Sequence, residues 1–124
     1  MTSARTTFGS APGLPLSPAV RAGDFVFVSG QLPWDSSGQI VDGNIETQTR
    51  AVMKRLTDIL VLAGASLGDI VNVTVWPEDP RDFAGFNKVY QEYFSQNPPA
   101  RSTVRSELLL DARLEVEAIA YKPV

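Results

Sequence analysis

The feature that most constrains the fold is a set of short segments in which small apolar residues alternate with residues of other types. FVFVS, IVNVTVW and LEVEAIAY, which begin at Phe25, Ile70 and Leu114, show this two-residue period. The period is typical of strands, since successive strand side chains point to opposite faces of a sheet. A further strand is predicted over Arg101–Ser106. One face of the resulting sheet is expected to be small and apolar, and to carry Val26, Val28, Val71, Val73, Val75, Val104, Leu114, Val116, Ala118 and Ala120.

The opposite face is expected to mix aromatic, polar and charged side chains. Such a face is too apolar for full exposure to water and too polar for an ordinary core. The pattern favours an oligomer interface that contains polar pockets, and the alternative is an open antiparallel sheet with one solvated face. The residues assigned to this face are Phe25, Phe27, Ser29, Asn72, Thr74, Trp76, Arg101, Thr103, Arg105, Glu115, Glu117 and Ile119.

Two segments between the strands have apolar residues at spacings of three and four, which predicts helices. The first is Ile45–Ala63, with Asn44 as N-cap and Gly64 in the left-handed position that follows many helices. The second begins at Asp79 and Pro80, a capping residue followed by a favoured first helical residue. The order of elements predicts an α+β fold, a mixed or antiparallel sheet with both helices packed on one face. The second helix carries an aromatic stripe of Phe83, Phe86, Tyr90 and Phe94.

The length of 124 residues suits a single domain over 1–124, with residues 1–14 as an extended arm. Cysteine and histidine are both absent, which excludes thiol nucleophiles, thiolate and imidazole metal ligands and histidine acid–base chemistry. We therefore expect no metal and no cofactor. The net charge of −3 and the scattered basic residues argue against a nucleic-acid partner. No apolar run is long enough to span a membrane, and a cytoplasmic location is the default expectation.

Arg101 and Glu115 are the strongest candidates for chemistry. Arg101 follows Pro99, which restricts the chain as the strand begins. A guanidinium matches a carboxylate as a bidentate fork, so Arg101 could anchor a small acid; alternatively it forms an ion pair with Glu115 or Glu117. The two glutamates are two residues apart and share a face. Their mutual repulsion would raise one pKa and suit it to general acid–base catalysis, unless both are simply solvated and paired with nearby arginines.

Three further residues are candidates for binding or structural roles. Asn87 lies within the aromatic stripe, where it is either a structural hydrogen-bonding group or a pocket donor. Ser29 ends a strand and precedes Gly30, a pair that often marks close approach of the backbone. No histidine is present to activate Ser29, so a serine nucleophile is not expected.

Four segments together resemble the RidA/YjgF family, also called L-PSP endoribonuclease-like. They are RAGDFVFVSGQ from Arg21, GDIV from Gly68, PARSTV from Pro99 and EVEAIA from Glu115. The resemblance implies a chorismate-mutase-like α+β fold and a homotrimer with ligand clefts between subunits. It also implies hydrolysis of reactive enamine and imine acids, such as 2-aminoacrylate, to a 2-keto acid and ammonia.

The resemblance further implies roles for particular residues. Arg101 would anchor the substrate carboxylate, Glu115 would position the attacking water, and the backbone at Thr103 would contact the carboxylate. Ser29, Gly30 and Asn87 match other positions of the cleft.

The chain departs from the family pattern at Leu16, which stands where active deaminases usually have tyrosine. That departure favours the alternative of a non-catalytic trimer that binds small carboxylates. The family's older name suggests a ribonuclease, but the acidic charge balance disfavours it.

Overall fold

The computed structural model describes residues 4–124, which form a six-stranded mixed sheet and two α-helices. The strand order is β1-β2-β3-β6-β4-β5, and all neighbours are antiparallel except β4 and β5, which are parallel. The α+β architecture with both helices on one face is confirmed. The elements are β1 (Arg5–Phe8), β2 (Ala19–Ala22), β3 (Phe25–Gln31), α1 (Ile45–Leu62), β4 (Ile70–Pro77), α2 (Phe83–Tyr93), β5 (Ala100–Thr103) and β6 (Leu114–Tyr121).

The helix boundaries follow the local signals in the sequence. The Asn44 side chain accepts a hydrogen bond of 2.9 Å from the Thr47 amide at the start of α1. Gly64 follows α1 with a φ of +81°, which few residues other than glycine adopt readily. Asp79 caps a short 3₁₀ turn, Pro80–Asp82, that leads into α2. The predicted boundaries of α1 are confirmed. The predicted start of the second helix at Asp79 and Pro80 is wrong for the α-helix, because Asp79 caps the 3₁₀ turn and α2 itself begins at Phe83.

The face predicted to carry small apolar residues packs against the helices and forms the core. Two of the valines assigned to it are exceptions. Val73 and Val75 of β4 are almost fully buried, as predicted. Val71 and Val104 are 44% and 50% exposed, so their assignment to this face is wrong. The pairing of β4 with β6 shifts between Ile70 and Asn72, which exchanges the faces at the beginning of β4. Val104 lies beyond the last residue of β5.

The amino-terminal region contributes two strands that the sequence patterns do not reveal. β1, which falls within the segment 1–14 expected as an arm, pairs with β2, and β2 pairs with β3. Residues 1–3 lie outside the described residues. The segments RTTF and AVRA do not alternate between apolar and polar residues, so only their pairing in the sheet identifies them as strands. No helix in the described residues is long and apolar enough to cross a bilayer.

Candidate functional site

Arg101 lies on the helix-bearing face of the sheet. In the parallel register it pairs with Val73, which is only 1% exposed. Its Cζ atom lies 4.8 Å from the ring centroid of Tyr90 and 5.3 Å from that of Phe86, both on α2. Thr103 occupies the same face, two residues along β5.

Glu115 lies on the other face. It pairs with Trp76, which alternates with the buried valines of β4. The prediction that Arg101 and Thr103 share a face with Glu115 is therefore wrong. Alternation shows which residues within a strand lie together, but it does not show how one strand is aligned with the next.

The positive charge of Arg101 has no ionic partner among residues 4–124. The ion pairs in this part of the chain join Arg50 to Glu92, Lys54 to Asp58, Arg81 to Asp79, Lys88 to Glu46 and Arg113 to Asp82. The alternative interpretation, an ion pair of Arg101 with Glu115 or Glu117, is wrong. The guanidinium remains available to an external anion.

Glu115 likewise lacks a cationic partner within the described residues. Burial raises the pKa of Glu115, and repulsion from Glu117 raises it further. The two carboxylates share the open face, as predicted, because Glu117 pairs with Thr74 two positions along β4. Glu115 thus retains a proton at higher pH than an ordinary glutamate and suits proton transfer.

Gly30 lies directly against the carboxylate of Glu115. A Cβ atom at this position would overlap the Glu115 Oε2 atom, so only glycine leaves the carboxylate in place. The position falls where the pairing of β3 with β6 shifts, between Val28 and Gln31. This irregularity brings the β3 backbone next to the acid group.

Ser29 ties the preceding loop to this irregular part of β3. Its hydroxyl donates a 2.6 Å hydrogen bond to the Ser17 carbonyl, and its amide donates to the Pro18 carbonyl at 2.9 Å. The proton of the Ser29 hydroxyl is therefore already engaged in a hydrogen bond within the chain. Leu16, at the edge of the tied segment, is 49% exposed.

A supporting contact beneath Ser29 is absent from the sequence-based predictions. The buried Gln31 side chain donates to the Ser29 carbonyl at 3.0 Å and accepts from Arg55 Nε at 3.0 Å. Arg55 belongs to α1, and no spacing rule connects it with β3. The contact exists because α1 packs over this strand.

Asn87 lies on the same side of the sheet as Arg101. It lies one turn from Phe83 and Tyr90 on the face of α2 that carries the rings around Arg101. It is partly buried and makes no side-chain hydrogen bond within residues 4–124.

The predicted site residues thus fall into two groups. We call Asn87, Arg101 and Thr103 the arginine half-site, and Leu16, Ser29, Gly30 and Glu115 the glutamate half-site. β4 separates β5 from β6, a lateral distance of about 10 Å. The principal charged groups also lie on opposite faces of the sheet.

Two open cavities of the chain contain neither half-site. One, of about 940 Å³, lies between the Glu78–Arg81 and Arg105–Leu108 segments. In it, Arg81 beside Asp79 holds the pKa of Asp79 at about 2, so this carboxylate stays ionised. The other, of about 640 Å³, lies between residues 40–48 and 111–113. Neither cavity is lined by a predicted site residue.

Comparison with known proteins identifies the family. Residues 9–122 match the family described as Endoribonuclease L-PSP. A RutC family protein of Pyrococcus horikoshii is 49% identical over 110 residues, 87% of each chain. Human 2-iminobutanoate/2-iminopropanoate deaminase is 37% identical over 116 residues, 90% of this chain and 85% of the human protein.

A solved structure agrees. Escherichia coli TdcF with bound serine superposes with a TM-score of 0.87 and 36% identity, covering 94% of this chain and 98% of TdcF. The chain belongs to the Endoribonuclease L-PSP family, which is the RidA/YjgF family that its motifs resemble.

Proposed function

We propose that the protein is a cofactor-free hydrolytic deaminase of reactive enamine and imine acids similar to 2-aminoacrylate, releasing a 2-keto acid and ammonia. The observation that carries this proposal is a pair of groups without an ionic partner in the described residues: the Arg101 guanidinium and the Glu115 carboxyl, whose pKa is raised by burial. The related human protein named as an iminobutanoate deaminase, and the serine bound to the related TdcF, support a substrate of amino-acid size.

The active site, in this proposal, forms between subunits of a homotrimer. The arginine half-site of one chain faces the glutamate half-site of its neighbour, because the two lie on opposite faces within one chain. The exposed aromatic side chains of the open face support association: Phe25, Phe27 and Tyr121 are 42%, 44% and 45% exposed. A contiguous exposed apolar surface of this kind is typical of a contact between proteins.

The substrate is held by its carboxylate and attacked at its imine carbon. The enamine first tautomerises to the imine, which is already electrophilic. Arg101 binds the carboxylate through two N–H groups, which fixes the imine carbon in place. The backbone amide at Thr103 adds a donor to the same group. Little further activation is needed, since the substrate itself is reactive.

Glu115 handles the protons. As a carboxylate it accepts a proton from water while the water oxygen bonds to the imine carbon and the C=N electron pair moves to nitrogen. Glu115 gives this proton to the nitrogen, which yields an amino alcohol. Glu115 then takes the hydroxyl proton as the C=O bond forms and passes it to the departing nitrogen, so that ammonia leaves and the carboxylate is restored.

The experiment is a measurement of ammonia and pyruvate release from 2-aminoacrylate generated in the assay by a β-eliminating lyase. We expect release faster than in buffer for the wild type and the buffer rate for Arg101→Ala. Arg105→Ala is the matched control: it removes an arginine four residues along the same segment, whose Nε donates to the Glu78 carbonyl. Equal rates for wild type, Arg101→Ala and buffer would exclude the proposal.

Leu16 supports a second candidate, a trimer that binds small carboxylates without turnover. A leucine supplies no hydroxyl beside the glutamate half-site. Calorimetry with 2-ketobutyrate distinguishes the two: binding that Arg101→Ala abolishes, in a protein inactive toward every imine tested, would establish the binding protein.

A further inference from the structure

Arg101 rests on aromatic rings. Its Cζ atom lies over the rings of Tyr90, Phe86 and Phe83 at 4.8, 5.3 and 5.8 Å from their centroids. A guanidinium is flat and weakly hydrated, and it binds favourably to the face of an aromatic ring. We call these three residues the aromatic cradle. An aromatic ring competes only weakly for N–H donors, so the N–H groups of Arg101 remain available to a carboxylate.

Tyr90 is the member of the cradle that lies nearest to Arg101, and packing holds it in place. Its ring packs between Phe86 at 5.2 Å and Phe94 at 4.6 Å, and the residue is 7% exposed. Its hydroxyl is buried and makes no well-aligned hydrogen bond in the described part of the chain, although it lies close to the Arg101 guanidinium. Ring packing therefore orients Tyr90.

Burial raises the pKa of Tyr90, and the charge of Arg101 together with the approach of its guanidinium to the hydroxyl offsets only part of that rise. The phenol stays neutral at physiological pH. A phenolate ion pair therefore does not hold Arg101, and the 4.8 Å contact with the neutral ring is an attraction that persists at every working pH.

We propose that Tyr90 is a positioning residue for Arg101, and that its aromatic ring, rather than its hydroxyl, aims the guanidinium at the substrate carboxylate. The assignment of Arg101 as carboxylate anchor rests on the proposed function. The contact between ring and guanidinium does not, so the two can be tested separately.

The contact is tested by NMR of the Arg101 Nε–Hε group in ¹⁵N-labelled protein, with the signal assigned by its loss in Arg101→Lys. Ring currents should displace this signal in the wild type. Tyr90→Leu should return it toward the position of a solvated arginine, while Tyr90→Phe should leave it displaced. Phe94→Leu is the matched control. Phe94 packs against Tyr90 but is not one of the three rings that contact Arg101.

The effect of the contact on carboxylate binding is tested by kinetics and by calorimetry with 2-ketobutyrate. Tyr90→Leu should raise KM and the ketobutyrate Kd about tenfold and leave kcat nearly unchanged, since the carboxylate is held alike in ground and transition states. Tyr90→Phe should restore the wild-type values. Should Tyr90→Leu fail to fold, Phe83→Leu replaces the most exposed ring of the cradle, 46% exposed, and should give a smaller change in the same direction.

Each outcome is decisive. An Arg101 signal that Tyr90→Leu, or Phe83→Leu in its place, leaves unmoved overturns the inference, whatever the activity. If Tyr90→Leu moves the Arg101 signal but leaves KM and Kd at their wild-type values, the inference is also overturned, because the contact then does not serve binding. If KM and Kd rise in Tyr90→Phe as much as in Tyr90→Leu, the positioning role belongs to the hydroxyl, and the inference about the ring is overturned. A wild type that neither binds ketobutyrate nor releases ammonia, but shows the NMR signature, excludes the proposed function and leaves the contact established.

Discussion

The arginine half-site and the glutamate half-site hold their charges in opposite ways. Arg101 has no ionic partner in residues 4–124, and aromatic rings of α2 surround it. Glu115 lies against the backbone of Gly30, with a second carboxylate on the same strand face. The rings attract the cation, whereas burial and repulsion raise the pKa of Glu115 and favour its protonated form.

The difference matches two different chemical tasks. An anchor must stay charged at every pH at which it works, and a proton-transfer group must change its charge readily. One chain supplies both groups but separates them by the sheet. In the proposed function, two neighbouring chains bring them to one substrate.

The largest expected effect comes from removing the anchor. Arg101→Ala should lower kcat/KM about 100- to 1,000-fold, because a bidentate charge-assisted contact is lost. Arg101→Lys, which keeps the charge but loses the fork, should recover only part of the activity. Steady-state kinetics measure both. Full activity in Arg101→Ala would mean that the arginine half-site does not bind substrate.

Mixing two inactive variants tests whether the half-sites meet across subunits. Arg101→Ala and Glu115→Ala, each inactive alone, are unfolded together and refolded. Random assembly should restore about a quarter of the wild-type activity, since one in four interfaces pairs an intact arginine with an intact glutamate. Each variant refolded alone is the control. No recovery, with mixed assemblies demonstrated by mass spectrometry, would place both groups of a site in one chain.

Glu115→Gln tests the proton-transfer group. The rate should fall about 100-fold, the usual contribution of general acid–base catalysis. The wild-type rate should rise with pH as Glu115 ionises above its raised pKa, and the variant should lose that rise. A pH–rate profile of kcat/KM measures both effects. An unchanged profile would assign the ionisation to another group.

The same substitution has a consequence for stability. Because folding raises the pKa of Glu115 above its ordinary value of 4.5, ionisation opposes folding. The contribution of this group to stability is complete below that value and is lost as pH rises through the raised pKa. Glu115→Gln should therefore be more stable than the wild type near pH 7 and not near pH 4, by chemical unfolding.

Glu117→Gln should have the smallest effect. It removes the repulsion that is the lesser cause of the raised pKa of Glu115, and burial remains. The pH–rate profile should move slightly toward acid with little change in its maximum. A large loss of activity would instead indicate that Glu117 contacts the substrate. Asp58→Asn, remote in an exposed ion pair with Lys54, controls for loss of negative charge.

Local patterns in the sequence account for most of the fold. The caps at Asn44 and Asp79 and the glycine at 64 mark helix ends because each satisfies or terminates its own nearby backbone. Apolar alternation identifies the long strands. β1 and β2 escape detection because RTTF and AVRA show no apolar alternation, and only their pairing in the sheet defines them as strands.

The candidate site was less accessible to sequence reasoning. The sequence identifies Arg101 and Glu115 as candidates by their residue types, but it does not show which face of the sheet each one occupies. The alignment of β5 on β4 puts Arg101 beside Val73, and the two-residue period then places it with the helices. The rings of the aromatic cradle are visible in the sequence as a helical stripe, with nothing to indicate a cation above them.

The sequence by itself determined the long strands, the two helical segments, the beginning of α1 and the family that the motifs resemble, since these depend on neighbours within a few residues. The tertiary structure alone decided which face Arg101 occupies, that Gly30 adjoins Glu115, and that Arg55 reaches Gln31. Those contacts join residues on different elements. They depend on strand register and helix packing, which no local period encodes.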